Sequence, residues 1–122
     1  MIGYVTLGTN DLPRAAAFYD ALFAELGAKR IFEFERGISW GTGMSSPSLG
    51  VLKPFDGQAA THGNGTMVAL AVDSTDKVDT LYRKAIELGA TDEGPAGPRG
   101  EGFYAGYFRD LDGNKLCFFR MG

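Results

Sequence analysis

The sequence holds one cysteine, one histidine and one tryptophan. The lone Cys117 excludes an internal disulfide and fits a reducing compartment, so a cytoplasmic location is expected. The lone His62 excludes a metal centre built on several imidazoles. No apolar run approaches the roughly 20 residues of a membrane-spanning helix, so no membrane partner is expected. Nor is there a basic, apolar leader of the kind that marks a targeting peptide. Lysine and arginine number 12 against 15 acidic residues, for a net charge of -3. The basic residues are scattered, and pairs such as Lys29-Arg30 and Arg83-Lys84 form no stripe. Nucleic-acid binding needs a basic face to neutralise phosphates, so that class is set aside.

What is present is ordinary globular material: 122 residues, 44% hydrophobic and 22% charged. A chain this long buries roughly two thirds of its unfolded surface, enough for a core without disulfides or structural metal. The 18 glycines point to many turns or close backbone approaches.

Ile2 to Leu7 alternates as a strand, with Ile2, Tyr4 and Thr6 on one face and Gly3, Val5 and Leu7 on the other. Asn10-Asp11 offers a helix cap, and Pro13 suits a first helical turn. Leu12, Ala15, Tyr19, Leu22 and Leu26 step by three and four, giving an apolar stripe broadened by Phe18 and Phe23. Gly27 stops that helix. Ala28 to Glu35, Ile38 to Thr42 and Leu49 to Lys53 read as three further strands. Residues 54–65 are breaker-rich and read as a connection.

Thr66 to Val72 starts the pattern again as a short apolar strand. Asp73 or Ser74 caps a second helix reaching Leu88, with Val78, Leu81, Tyr82, Ala85 and Leu88 as its stripe. Ala90 to Glu93 is a short strand and Gly94 to Gly102 a loop. Phe103 to Arg109 and Lys115 to Arg120 are strands joined by Asp110-Leu111-Asp112-Gly113-Asn114, a tight hairpin turn.

The halves match. Tyr4, Val5, Leu7 and Tyr19 recur 63 positions later as Met67, Val68, Leu70 and Tyr82. Leu26-Gly27-Ala28 recurs as Leu88-Gly89-Ala90. Order, spacing and punctuation together describe a duplicated βαβββ unit. The expected fold is therefore α+β. One domain spans 1–122, with module one at about 1–56, a connection at about 57–64 and module two at about 65–122.

A tandem βαβββ pair of this length resembles the vicinal oxygen chelate superfamily of glyoxalases, bleomycin-resistance proteins and extradiol dioxygenases. The residues that carry the resemblance are Asn10-Asp11-Leu12 through Phe18-Tyr19, Gly63-Asn64-Gly65-Thr66, and Arg109-Asp110-Leu111-Asp112-Gly113-Asn114-Lys115. The resemblance implies open, mixed sheets curling into a cleft with helices outside, and commonly a homodimer. It also implies a divalent metal in that cleft, held by two histidines and a glutamate from the first strand of each module and the last strand. Here those positions carry Tyr4, Met67 (or Thr66, one residue earlier) and Cys117. Thioether and thiol donors suit soft ions, so no metal or other cofactor is expected, a divalent metal at an atypical site being the alternative.

The candidate cleft residues are Tyr4, Thr6, Trp40, Met67, Ala69, Phe103, Tyr107, Cys117 and Phe119, with Arg99 in the loop before Phe103. Tyr4 reads as a ligand-orienting phenol or a structural tyrosine. Met67 reads as an adaptable apolar wall or core filling, and Cys117 as a small packed hydrophobe or, given a nearby base or positive charge, a nucleophile. Ala69 and Ala71 are small and leave space. His62 reads as a surface residue of its loop. No catalytic residue is assigned.

The expected function is a glyoxalase/bleomycin-resistance-like protein whose metal-free cleft binds a small, partly apolar molecule. Two alternatives are a metal-dependent lyase, isomerase or dioxygenase with an atypical site, and a non-catalytic interaction module.

Overall fold

The computed structural model describes residues 1–122. It divides into two compact units, Met1–His62 and Gly63–Gly122, with the division inside the breaker-rich stretch. The first unit runs β1 (Tyr4–Gly8), α1 (Leu12–Ala24), β2 (Lys29–Phe34), β3 (Gly37–Gly41) and β4 (Ser48–Leu52). The second runs β5 (Val68–Ala71), α2 (Thr75–Glu87), β6 (Thr91–Pro98), β7 (Phe103–Arg109) and β8 (Lys115–Met121). Each unit folds as βαβββ, as the internal repeat predicts. The strand orders are equivalent, β1-β4-β3-β2 and β5-β8-β7-β6, each with one parallel and two antiparallel pairings. No helix is long and apolar enough to cross a membrane.

In the first unit Asp11 caps α1 by accepting from Arg14 N at 3.1 Å. Asn10 instead clasps Ala60, accepting from its N–H at 2.7 Å and donating to its carbonyl at 3.2 Å. The predicted stripe is the buried one, with Ala15, Phe18, Tyr19, Leu22 and Phe23 under the surface and Ala16 added to it. Leu12 and Leu26 sit at its half-buried ends. Gly27 adopts φ +79° after the last turn, a conformation that costs glycine least.

This stripe meets Val5, Leu7, Ile38, Trp40, Leu49 and Val51, the side chains that share one face of the sheet by strand register. The rings of Tyr19 and Trp40 lie 5.5 Å apart and those of Tyr19 and Phe23 5.2 Å apart. Aromatic pairs of this geometry add roughly 0.5–1.5 kcal/mol each beyond area burial.

In the second unit Ser74 caps α2 by accepting from Lys77 N at 3.1 Å. Val78, Leu81 and Ala85 bury against Phe108, Leu116 and Phe118. Tyr82 lies over Gly106, where an added Cβ would stand 3.0 Å from its ring. Its hydroxyl donates to Asp92 at 2.7 Å, and burial and that carboxylate together push its pKa up to about 12. The hairpin turn folds around buried Asp110, whose carboxylate accepts from the N–H groups of Asp112 and Asn114 at 2.9 Å.

Three expectations about elements are corrected. The expected loop 94–102 is strand as far as Pro98, because β6 is a sheet edge: the irregularity between Gly94 and Gly97 takes in Pro95, and Pro98 ends the strand opposite Tyr104. The strand expected over Thr66–Val72 spans only Val68–Ala71, since parallel pairing begins at Val68 with Leu116. Met67 thus precedes the strand, after Gly65 at φ +96°. Finally, β1 starts at Tyr4, which leaves Ile2 and Gly3 outside it.

Candidate functional site

Each sheet buries one face beneath its helix and turns the other away from it. In the first unit the register puts Tyr4, Thr6, Phe32, Phe34, Ser39, Ser48, Gly50 and Leu52 together on the face opposite α1. The middle of this face is built from small side chains, Thr6, Ser39, Ser48 and Gly50. Larger ones rise around them: Tyr4 is 72% exposed, Phe32 61% and Met44 82%. The result is a concavity of about 670 Å³, within the range of small-molecule sites. Phe32 and Phe34 stand edge to face, 6.0 Å between centroids. Arg36 closes one end, its guanidinium 5.8 Å over the Phe34 ring and 5.3 Å over the Phe55 ring.

In the second unit the corresponding face carries Ala69, Ala71, Phe103, Ala105, Tyr107, Cys117 and Phe119. Phe103 and Phe119 stack at 5.6 Å. Two cations face the Tyr107 ring, Arg99 at 5.5 Å and Lys115 at 5.7 Å from its centroid. Arg99 is held by the carbonyls of Pro95, Gly97 and Pro98, which aims its guanidinium at that ring.

The sequence-derived candidates therefore fall into groups. Tyr4 and Thr6 share the concave face of the first sheet. Ala69, Phe103, Tyr107, Cys117 and Phe119 share the face of the second sheet opposite α2, flanked by Arg99, with Cys117 itself buried. Met67 is half-exposed just before β5, in no strand. His62 is exposed.

Trp40 does not join the concave face. It is 1% exposed, packed under α1, and its indole Nε1 donates to Asp20 at 2.9 Å. Ile38 and Trp40 alternate with Gly37, Ser39 and Gly41, a pattern that already marks Trp40 as a core residue. Sequence reasoning also missed Phe32, Phe34, Arg36, Ser39 and Gly50 as lining. The Phe32/Phe34 alternation was a usable signal; Arg36 reads in sequence only as half of a turn.

The metal that the family resemblance implies does not fit this donor set. Its positions hold a phenol, a thioether and a thiol. Burial pushes the Cys117 thiol pKa up, with Lys115 opposing, so the protonated form is favoured where a ligand must be a thiolate. No group of three or more His, Cys, Asp or Glu side chains is placed to hold a metal ion.

The Glyoxalase/Bleomycin resistance protein/Dioxygenase superfamily model matches residues 1–118. A glyoxalase/bleomycin resistance protein from Albidiferax ferrireducens T118 is 34% identical in sequence, with 100% of this chain and 99% of that one covered and a TM-score of 0.91. A glyoxalase/bleomycin resistance protein/dioxygenase family enzyme from Burkholderia phytofirmans PsJN shares the fold at 22% identity, with 98% of each chain covered and a TM-score of 0.79. TioX from Micromonospora sp. ML1 also shares it at 22% identity, with 100% and 99% covered and a TM-score of 0.69. No curated protein matches the sequence.

Proposed function

Because the chain belongs to the Glyoxalase/Bleomycin resistance protein/Dioxygenase superfamily, we propose that it binds a small, partly apolar molecule on its open sheet faces without a metal ion. The observation that carries this reading is the concave face of the first sheet. A sheet face that only meets solvent has no need of aromatic walls around a floor of small side chains. This one has a floor of Ser39, Ser48 and Gly50 and aromatic walls of Tyr4 and Phe32, about 670 Å³ of room. The aromatic face of the second sheet supports the same reading. The metal-free part rests on the chemistry of Tyr4, Met67 and Cys117.

The ligand site is tested by filling it. At Gly50 an added Cβ meets Leu52 Cδ1 at 3.1 Å and Thr6 Cγ2 at 3.5 Å, both side-chain ends able to give way, and the Ile38 carbonyl oxygen at 3.6 Å, an ordinary van der Waals contact. Gly50→Leu is expected to keep the fold and abolish ligand-induced amide shifts on the first sheet in a small-molecule NMR screen. A library that produces no shifts at all in the native protein would instead favour a protein-interaction module. Metal content of protein purified without chelator tests the other half: one equivalent of nickel, zinc, iron or manganese per chain would overturn the metal-free reading and revive the lyase, isomerase or dioxygenase alternative.

A homodimer is part of the same proposal. Phe32, Met44 and Phe55 of the first unit are exposed by 61%, 82% and 90%, apolar side chains that a second copy of the chain would cover. Light scattering on the purified chain should return twice the 13.1 kDa chain mass. A monomer at micromolar concentration overturns the dimer.

A further inference from the structure

The concave face of the first sheet carries one charged side chain, Arg36. The chain as a whole is acidic, at -3. Several first-unit acids are engaged elsewhere: Asp20 and Glu33 bind Arg30, and Asp11 caps α1, while Glu35 and Asp56 each line a surface concavity that Arg36 also borders but form no ion pair with it. No ion pair involves Arg36.

Arg36 is nonetheless held in place. Its Nη1 donates to the Lys53 carbonyl at 2.9 Å, and the rings of Phe34 and Phe55 face its guanidinium. A guanidinium has five N–H donors, so four remain for another partner. A positioned, half-buried cation with most of its donors open, at the end of an apolar concavity, is complementary to an anion with an apolar body. Guanidinium geometry matches carboxylate through two parallel hydrogen bonds. The walls beside it are flat: Phe34 next to Arg36, then Phe32 and Tyr4. Gly50 in the floor has no side chain of its own, and the methyl ends of Leu52 and Thr6 border the space above it, 3.1 and 3.5 Å from where a Cβ would stand, an apolar bed for a ring.

We infer that the ligand is a small aromatic carboxylate, its carboxylate on Arg36 and its ring over Gly50 between Phe32 and Tyr4. The inference rests on the reading of this face as a ligand site and adds the ligand's charge and shape. Arg36 is then the specificity-determining residue.

The test is a charge series on one ring system, read by amide shifts of Gly37, Ser39 and Gly50 in the full chain. The probes are 2-naphthoate, 2-naphthalenemethanol and 2-naphthylmethylammonium. Naphthoate should bind roughly tenfold to a hundredfold more tightly than the alcohol, the worth of a charge-assisted hydrogen-bonded pair, and the ammonium least tightly. Arg36→Gln should weaken naphthoate far more than the alcohol and so bring the two close together; Arg36→Lys should keep part of the preference. Equal affinity for naphthoate and the alcohol, or equal weakening of both by Arg36→Gln, overturns the inference while leaving the face as a ligand site. If none of the three probes moves those amides, the inference and the site reading fall together. Should Arg36→Gln perturb the whole amide spectrum, the native-protein series still decides.

Discussion

The indole of Trp40 and the carboxylate of Asp20 are joined by a 2.9 Å hydrogen bond, from Nε1 to Oδ1. Arg30 grips the same carboxylate at 2.9 and 2.7 Å. This relationship ties β3 and β2 to α1 and turns the only tryptophan away from the concave face. It also satisfies the one polar atom that burying an indole leaves in need of a partner.

A pH dependence follows. Hydrogen bonding from Arg30 lowers the Asp20 pKa most, partial burial opposes it, and the bond from Trp40 lowers it further. A carboxyl depressed in the folded state contributes stability that is complete above its unfolded pKa, about 3.9. That contribution is lost as pH falls below this value toward the folded pKa. The Asp20 side chain is 43% exposed, so solvent screening limits the effect to below about 1 kcal/mol. Asp20→Asn should lower stability modestly at pH 7 and show a shallower loss between about pH 5 and pH 2. Urea melts at each pH check this; parallel acid limbs for the two proteins would contradict it.

Cys117 should be chemically silent in the folded protein. It is 1% exposed and burial favours its neutral form. Reaction with a disulfide reagent at pH 8 should be slow in buffer and fast in guanidinium chloride. Rapid stoichiometric labelling of the native chain would show that the second sheet's face opens to solvent at Cys117.

Gly106 is a packing requirement of the second unit. A Cβ there would stand 3.0–3.1 Å from three atoms of Tyr82, two of them in a ring that cannot fold aside. Gly106→Ala should destabilise by roughly 1–3 kcal/mol through overpacking. It should also disturb the Tyr82–Asp92 hydrogen bond and so bring the tyrosine titration down from about 12. Denaturant melts and an ultraviolet titration read the two effects separately.

The β7–β8 turn depends on Asp110. Its carboxylate accepts from two backbone N–H groups and from the Asn114 side chain at 3.0 Å, all close to the buried turn. Asp110→Ala strands those donors and should cost about 2–3 kcal/mol. Asp110→Asn keeps an acceptor and should cost less. Equal costs in urea melts would mean that the carboxylate's second oxygen contributes nothing.

Much of the architecture was legible from the chain. Leu12-to-Leu26 and Val78-to-Leu88 periodicity located both helices, Asp11 and Ser74 capped them, and Gly27 and Gly89 ended them. The repeat of Tyr4-Val5 at Met67-Val68 announced two equivalent units. Local chemistry suffices for these because caps, turns and periodicities act between residues a few positions apart. The strand of Pro95 and Pro98 was not legible: prolines read as breakers until the sheet shows that β6 lies at an edge.

The site was less legible, and the difference lies in range. Alternation told which residues share a face of a strand: Tyr4 with Thr6, Phe32 with Phe34, Cys117 with Phe119. Which of the two faces meets a helix is decided by packing between segments far apart in sequence, and that packing took Trp40 into the core. Arg36 is the sharpest case. Sequence alone marks it as a turn residue; only the tertiary structure sets it against Phe34 and Phe55 without an ion pair, because a partner's presence or absence is a property of distance in space.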